Sequence, residues 1–148
     1  MREGKTSEAV TTLEHLNITV PDITVTLKFL ALVAPDFSVR KAAISERGYR
    51  WVHVGNETCY FALQEPHPGS SAEAPRQSYT NHGVNHIGII IEDASATESK
   101  LLARGYKPNG PMVVESYRKR IYFYDDTGFE WEMVEYLSDS PADKYLYE

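Results

Sequence analysis

At 148 residues the chain is the size of one ordinary domain, large enough to bury roughly two thirds of its extended surface. Its composition, 42% hydrophobic and 24% charged, is that of a soluble globular protein. A formal charge of −6 and a pI near 5.4 argue against nucleic acid or an anionic membrane as partner, since both select basic surface.

No apolar run approaches the length that crosses a bilayer. Met1 to Thr12 is polar and lacks the apolar centre of a signal peptide, so the expected location is the cytoplasm. Cys59 is the single cysteine, which leaves no intramolecular disulfide and no CxxC metal or redox site. In an apolar strand pattern it is expected to be a small buried residue.

His15 to Val20 alternates, with Leu16, Ile18 and Val20 on one face and His15, Asn17 and Thr19 on the other. That is a strand with one dry face. Pro21-Asp22 ends it, and Asp22 can cap a helix whose Ile23, Leu27 and Leu30 share a side, closed by Pro35. Strand character follows around Val39 to Ser45, Tyr49 to Val54 and Thr58 to Gln64, with Gly55-Asn56 as a turn. Glu65 to Gly83 carries Pro66, Pro68, Gly69 and Pro75 without periodicity and reads as a linker. A strand over Asn85 to Ile91 opens the second half. Ser95-Ala96-Thr97-Glu98 has the form of a capping box, Leu101 and Leu102 supply an apolar stripe, and Gly105 is a stop. Strands are expected at Met112 to Ser116, Arg118 to Tyr124 and Phe129 to Tyr136, the last two joined by the turn Asp125-Asp126-Thr127-Gly128. The tail from Ser138 is acidic and tyrosine-bearing.

The two halves repeat one another. Leu13 to Asp22 and Val84 to Asp93 share the order apolar-x-His, alternation, Asp, with the same His-to-Asp spacing of seven. Arg50 to Glu65 lies against Arg120 to Glu135 at an offset of about seventy residues. The organisation is one α+β domain of two tandem βαβββ modules, about 12–65 and about 84–137, with a linker at 66–83 and a tail at 138–148. Such a duplicated unit buries its apolar face against its copy.

Alternation assigns the faces. Ile87, Ile89 and Ile91 share the helix-covered side, so His86 and Gly88 point the other way. Trp131 and Met133 are packing residues, which leaves Glu130, Glu132 and Val134 opposite. His15, His86 and Glu132 thus project from the non-helix side. Two imidazoles and a carboxylate on one concave surface can hold a divalent cation facially and leave other positions open. The same histidines also fit hydrogen-bonded structural residues inherited by duplication. Glu132 pairs with Ala62 in the repeat, so the first half offers no matched carboxylate. Gln64 shares that strand face and can reach inward. His53 pairs with Phe123 and is placed on the packing side as a structural residue. His67 and His82 fall in the linker, with His82 within reach of the mouth of a site or simply solvated. Arg118 and Arg120 share a face with Tyr122; they mark an exposed strand or clamp an anionic substrate bidentately.

The motifs LEHLNITVPD, VNHIGIIIED and YFYDDTGFEWEMVEY together resemble the vicinal oxygen chelate superfamily: glyoxalase I, extradiol dioxygenases, methylmalonyl-CoA epimerase, and the bleomycin and fosfomycin resistance proteins. The third is similar to the family signature F-x-D-P-D-G-x-x-x-E, with Asp126-Thr127 where Pro-Asp is usual. The resemblance spans roughly residues 12–137. It implies a glyoxalase/bleomycin resistance/dihydroxybiphenyl dioxygenase-like fold, in which two modules form an incomplete barrel around a metal held by His15, His86 and Glu132. The implied cofactor is a divalent ion, Fe(II) or Ni, Zn or Mn. Ala62 stands where glyoxalase I uses a Glu as fourth ligand and base, and the remaining two-His-one-Glu set resembles that of extradiol dioxygenases.

The resemblance therefore implies a metal-dependent enzyme acting on a small oxygen-rich substrate, dioxygenase-like or glyoxalase-like. Gln64 and His82 are its candidate proton-moving groups, and Arg118, Arg120 and Tyr122 its candidate substrate contacts. A glyoxalase I-type lyase, isomerase or epimerase is the alternative enzyme. A non-catalytic antibiotic-binding resistance protein is the alternative from another class. A homodimer is expected by resemblance, as some relatives exchange modules between chains.

Overall fold

The computed structural model describes residues 10–70 and 76–148. The first nine residues of the polar start, and the linker stretch 71–75 with Pro75, lie outside the described residues. The first module runs β1 (His15–Thr19), α1 (Ile23–Val33), β2 (Ser38–Ile44), β3 (Arg50–Gly55) and β4 (Tyr60–Gln64). The second runs β5 (His86–Ile90), α2 (Ala94–Ala103), β6 (Lys107–Pro108), β7 (Val113–Val114), β8 (Arg118–Tyr124) and β9 (Glu130–Tyr136), followed by α3 (Pro141–Lys144). None of the described helices is long and apolar enough to cross a membrane.

Each module makes its own sheet, in the orders β1-β4-β3-β2 and β5-β9-β8-β6, with β7 also on β8. The strand before each helix pairs parallel with the last strand of its module, β1 with β4 and β5 with β9. All other pairings are antiparallel. The architecture is α+β, two sheets that do not close into a barrel.

Both crossover helices start the same way. The Asp22 carboxylate accepts the Thr24 N–H at 2.8 Å, and Asp93 accepts the Ala96 N–H at 2.9 Å, each satisfying one donor that a helix start leaves unpaired. The second cap is therefore Asp93, and the capping box expected at Ser95 to Glu98 lies inside the helix. The repeat explains the correction, because Asp93 is the copy of Asp22. The apolar stripe of α2 is also narrower than expected. Leu101 is fully buried while Leu102 is half exposed, as neighbours about 100° apart around a helix must be. The strand expected over Met112 to Ser116 is shortened to β7, and β6 is an additional strand ahead of it; both pair antiparallel with β8. Between them lie Gly110, with φ +84°, and Pro111, which has no N–H to donate to a ladder.

The dry faces of both sheets and the two crossover helices meet in one core. Phe29 of α1 lies 5.9 Å from Trp131 of β9 by ring centroid, and Phe61 of β4 lies 5.2 Å from Trp131. Ile23, Leu30, Leu63, Ile121, Phe123 and Met133 complete its fully buried part, each contributing roughly 1.5–3 kcal/mol of burial. The indole N–H of Trp131 donates to buried Asp125 at 3.0 Å.

The β3–β4 turn occupies 56–59 between the pair Gly55 and Tyr60, whereas the β8–β9 turn occupies 125–129 between Tyr124 and Glu130. The first is drawn tight: a Cβ on Gly55 would sit 2.1 Å from the Cys59 carbonyl oxygen. The second is one residue longer, with Gly128 at φ +85°. That residue shifts the repeat by one along β3 and β8. His53 pairs with Ala62, and Tyr122 pairs with Glu132. His53 is thus the counterpart of Tyr122, not of Phe123, and stands on the face opposite the buried Val52 and Val54. The expected placement of His53 on the packing side is corrected, because a one-residue slip exchanges the two faces of a strand. Cys59, expected buried, is half-buried and free in this turn.

Candidate metal centre

The wet face of the second sheet carries the densest polar cluster. Parallel pairing sets His86 against Glu130 and Gly88 against Glu132, and antiparallel pairing adds Tyr122 beside Glu132. His86 Nε2 lies 3.0 Å from Glu132 Oε2. Two cis ligands with bonds of about 2.1 Å to one cation stand about 3.0 Å apart, and imidazole nitrogen with carboxylate oxygen is a common donor pair for first-row divalent metals. These residues fit a metal.

Further groups fix the pair. Glu130 is nearly fully buried, accepts hydrogen bonds from the Tyr79 hydroxyl and the Asn109 side-chain amide, and lies 3.4 Å from His86 Nδ1. The Tyr79 hydroxyl is 3.0 Å from the same Nδ1. Its bond to Glu130, with burial second, pushes the Tyr79 phenol up to about 12. Burial, then the bond to Glu132, also raises the Tyr122 phenol. Tyr122 meets the His86 ring edge to face at 5.7 Å.

Glu115 holds both arginines of β8. It is bonded to Arg118 Nε and, at 2.8 Å, to Arg120. Its carboxyl is held below the usual range chiefly by the Arg118 hydrogen bond. Arg118 is further covered by the Tyr147 ring, 4.4 Å from its guanidinium. Arg120 reaches the Tyr122 hydroxyl at 2.8 Å and Glu132 at 3.6 Å, and its buried Nε has no partner. Glu115 and Glu132 thus meet the two guanidiniums (Arg118, Arg120), while Glu130 and Glu132 both lie against His86. Three carboxylates against two guanidiniums leave a surplus of negative charge that suits a cation.

His15 belongs to the other sheet. It pairs with Tyr60 in register, stacks on that ring at 4.9 Å, and bonds Glu14 at 2.7 Å. On the same sheet a hollow of about 220 Å³ is lined by Asn17, Tyr49, Trp51, His53, Ala62 and Gln64. Gln64 lies 3.3 Å from Asn17 and 3.4 Å from His67 Nε2. Among the described residues no three His, Cys, Asp or Glu side chains form a metal group. The chain therefore brings His86 and Glu132 together, and Arg120 and Tyr122 beside them, while His15 and Gln64 remain on the first sheet. His82 lines an inter-module cleft of about 560 Å³ with Asn17 and Trp131; neither His86 nor Glu132 lines it.

The linker residue that reaches the cluster is Tyr79. No periodicity or motif marks it. The face of Glu130 was readable from alternation, but its partners Tyr79 and Asn109 were not, since each arrives from a loop.

No protein-family model matches the chain and no curated protein matches it. Solved structures do. A glyoxalase family protein from Bacillus cereus superposes with a TM-score of 0.73 at 13% identity, over 91% of this chain and 100% of that one. The chain has the vicinal oxygen chelate fold. The same fold relates it to a glyoxylase/bleomycin resistance protein/dioxygenase domain from Frankia sp. EAN1pec, with a TM-score of 0.69 at 16% identity over 86% and 99% of the two chains. It also relates it to a variant of the fosfomycin resistance protein FosX from Listeria monocytogenes, complexed with Mn(II) and 1S,2S-dihydroxypropylphosphonic acid. There the TM-score is 0.67 at 15% identity over 93% and 100%.

Proposed function

We propose that the chain is a metal-dependent enzyme acting on a small acid with two vicinal oxygens, and that its centre joins His86 and Glu132 of one chain to His15 of a second copy. The observation that carries this reading is the His86–Glu132 pair, 3.0 Å apart, with Arg120 alongside. The second copy is argued from the separation of His15 from that pair. It is also argued from β1 and β5, which are both edge strands, and from Ile90, an apolar side chain 72% exposed on the same face as His86. An open edge and an uncovered apolar residue are what pairing with another chain removes.

When bound, the divalent cation supplies Lewis-acid polarisation of two substrate oxygens. Arg120, bonded to Tyr122 and lying 3.6 Å from Glu132, orients the substrate's acidic group. Arg118 is engaged by Glu115 and Tyr147, so its part is to hold Glu115. Gln64 shares the His15 face and arrives with it as the candidate group for moving a proton. The phosphonic acid diol and Mn(II) bound by the FosX relative have the chemistry this arrangement accommodates.

Metal content of protein purified without chelator tests the reading, with Glu132→Ala as control. Stoichiometric metal lost in the variant supports it; equal metal content in both overturns it. Oxygen uptake with Fe(II) then marks a dioxygenase, whereas loss of the methylglyoxal–glutathione hemithioacetal with Ni(II) or Zn(II) marks a lyase. A binding-only resistance protein is the second reading, favoured by the Tyr49, Trp51 and His53 wall of the first sheet. Metal-free protein that holds an aromatic drug tightly would select it.

A further inference from the structure

Among the described non-glycine residues, Tyr79 alone has a positive φ, 65°. An aromatic residue keeps this left-handed backbone only where its surroundings hold it, and such positions cluster at functional sites. Here the surroundings are polar. The Tyr79 N–H donates to Asn85 Oδ1 at 2.6 Å, and Arg76 donates to that same oxygen at 3.1 Å. Arg76 also ties the carbonyls of Asn81 at 3.2 Å and His82 at 3.3 Å, and Asn81 Oδ1 accepts the Gln77 N–H at 2.7 Å. The Tyr79 ring itself is 62% exposed, so apolar burial does not account for its place. Its hydroxyl does: that atom meets both Glu130 and His86 Nδ1.

A phenol has one proton. Donated to the Glu130 carboxylate, it leaves the Tyr79 oxygen only as an acceptor toward His86, so Nδ1 must carry the hydrogen between them. The Asn109 amide occupies the other Glu130 oxygen, which keeps this carboxylate from turning away. Nε2 is then the nitrogen presented to Glu132. A hydrogen bond at one ring nitrogen is what orients a histidine at the other.

We propose that Tyr79, braced by Glu130 and Asn109, is a positioning residue that fixes the His86 ring with Nδ1 protonated and Nε2 directed at Glu132. Its consequence for metal affinity rests on the metal reading above; its consequence for the ring does not. The linker loop is therefore part of the site.

The test compares wild type with Tyr79→Phe by three measurements. In the metal-free chain, ring 1H–15N spectra should show a slowly exchanging His86 Nδ1–H that disappears in the variant. The thermal unfolding midpoint should fall only modestly, since the ring is exposed and Asn109 still bonds Glu130. Titration with Mn(II) alone should then show affinity lower by about 10–100-fold in the variant. A protected Nδ1–H that survives in Tyr79→Phe overturns the proposal, as does Mn(II) affinity unchanged within twofold. Where the wild type itself binds no Mn(II), loss of the resonance in Tyr79→Phe alone leaves the positioning standing and overturns the metal reading instead.

Discussion

Ala62 and Glu132 occupy the same place in their two sheets. Ala62 lies between Asn17 and His53, and Glu132 between Gly88 and Tyr122. The duplicated framework thus presents a histidine from the first strand of each module but a carboxylate beside only one of them. Ala62→Glu should create a second His–carboxylate pair next to His15. In the proposed shared centre it should tighten Mn(II) binding by roughly tenfold or more, on the scale of an added anionic ligand. Calorimetric titration reads this, and unchanged or weaker binding would place His15 away from the cation.

The shared centre makes a sharper prediction about mixing. His15→Ala and Glu132→Ala should each be metal-deficient alone. Unfolded together and refolded, half of the dimers are mixed, and each mixed dimer keeps one intact centre. About a quarter of wild-type metal content should return by this pairing arithmetic. No recovery would locate all ligands within one chain.

Asp125 is buried and accepts the Thr127 and Phe129 N–H groups, the Thr127 hydroxyl and the Trp131 indole N–H. Asp125→Ala strands these donors at the hairpin that sets the β8–β9 register. The expected loss is roughly 2–4 kcal/mol of unfolding free energy, because unpaired buried donors cost far more than a lost surface contact. Urea unfolding measures it, and a change below about 0.5 kcal/mol, the size of an ordinary surface effect, would deny this turn its structural role.

Glu115 predicts the acid limb of stability. Its carboxyl titrates below the usual range, first because of the Arg118 hydrogen bond. A depressed folded value means the folded chain favours the charged form. The stabilisation is present above the unfolded carboxylate value of about 4.3 and is lost as pH falls through the folded value. Acid should therefore release Arg118, Arg120 and the Tyr147 tail together. In Glu115→Gln the stability difference between pH 7 and pH 3 should shrink; an acid limb identical to wild type would show that this carboxyl is not coupled to folding.

Much of the molecule could be read from local pattern. Alternation over His15 to Val20, Asn85 to Ile91 and Phe129 to Tyr136 placed Leu16, Ile87, Trp131 and Met133 on dry faces, and His15, His86 and Glu132 on wet ones. This works because a strand has period two whatever it pairs with. Asp22 marked the first helix start, since a cap is satisfied by donors only a few residues away, whereas the second start lies at Asp93, two residues before the Ser95 that local pattern suggested.

What pattern could not carry is whatever depends on a turn length or on a distant partner. One extra residue in the β8–β9 hairpin moved His53 to the wet face, where linear alignment had paired it with buried Phe123. The tertiary structure alone decided that His86 and Glu132 meet while His15 stands on another sheet, because alternation names a side chain's face and not the sheet that face will oppose. It alone brought Tyr79 from an aperiodic linker onto Glu130 and His86. The sequence by itself determined two similar modules and which way their strands look; the packing of those modules determined which polar groups touch, since such contacts join residues as far apart in the chain as Tyr79 and Glu130.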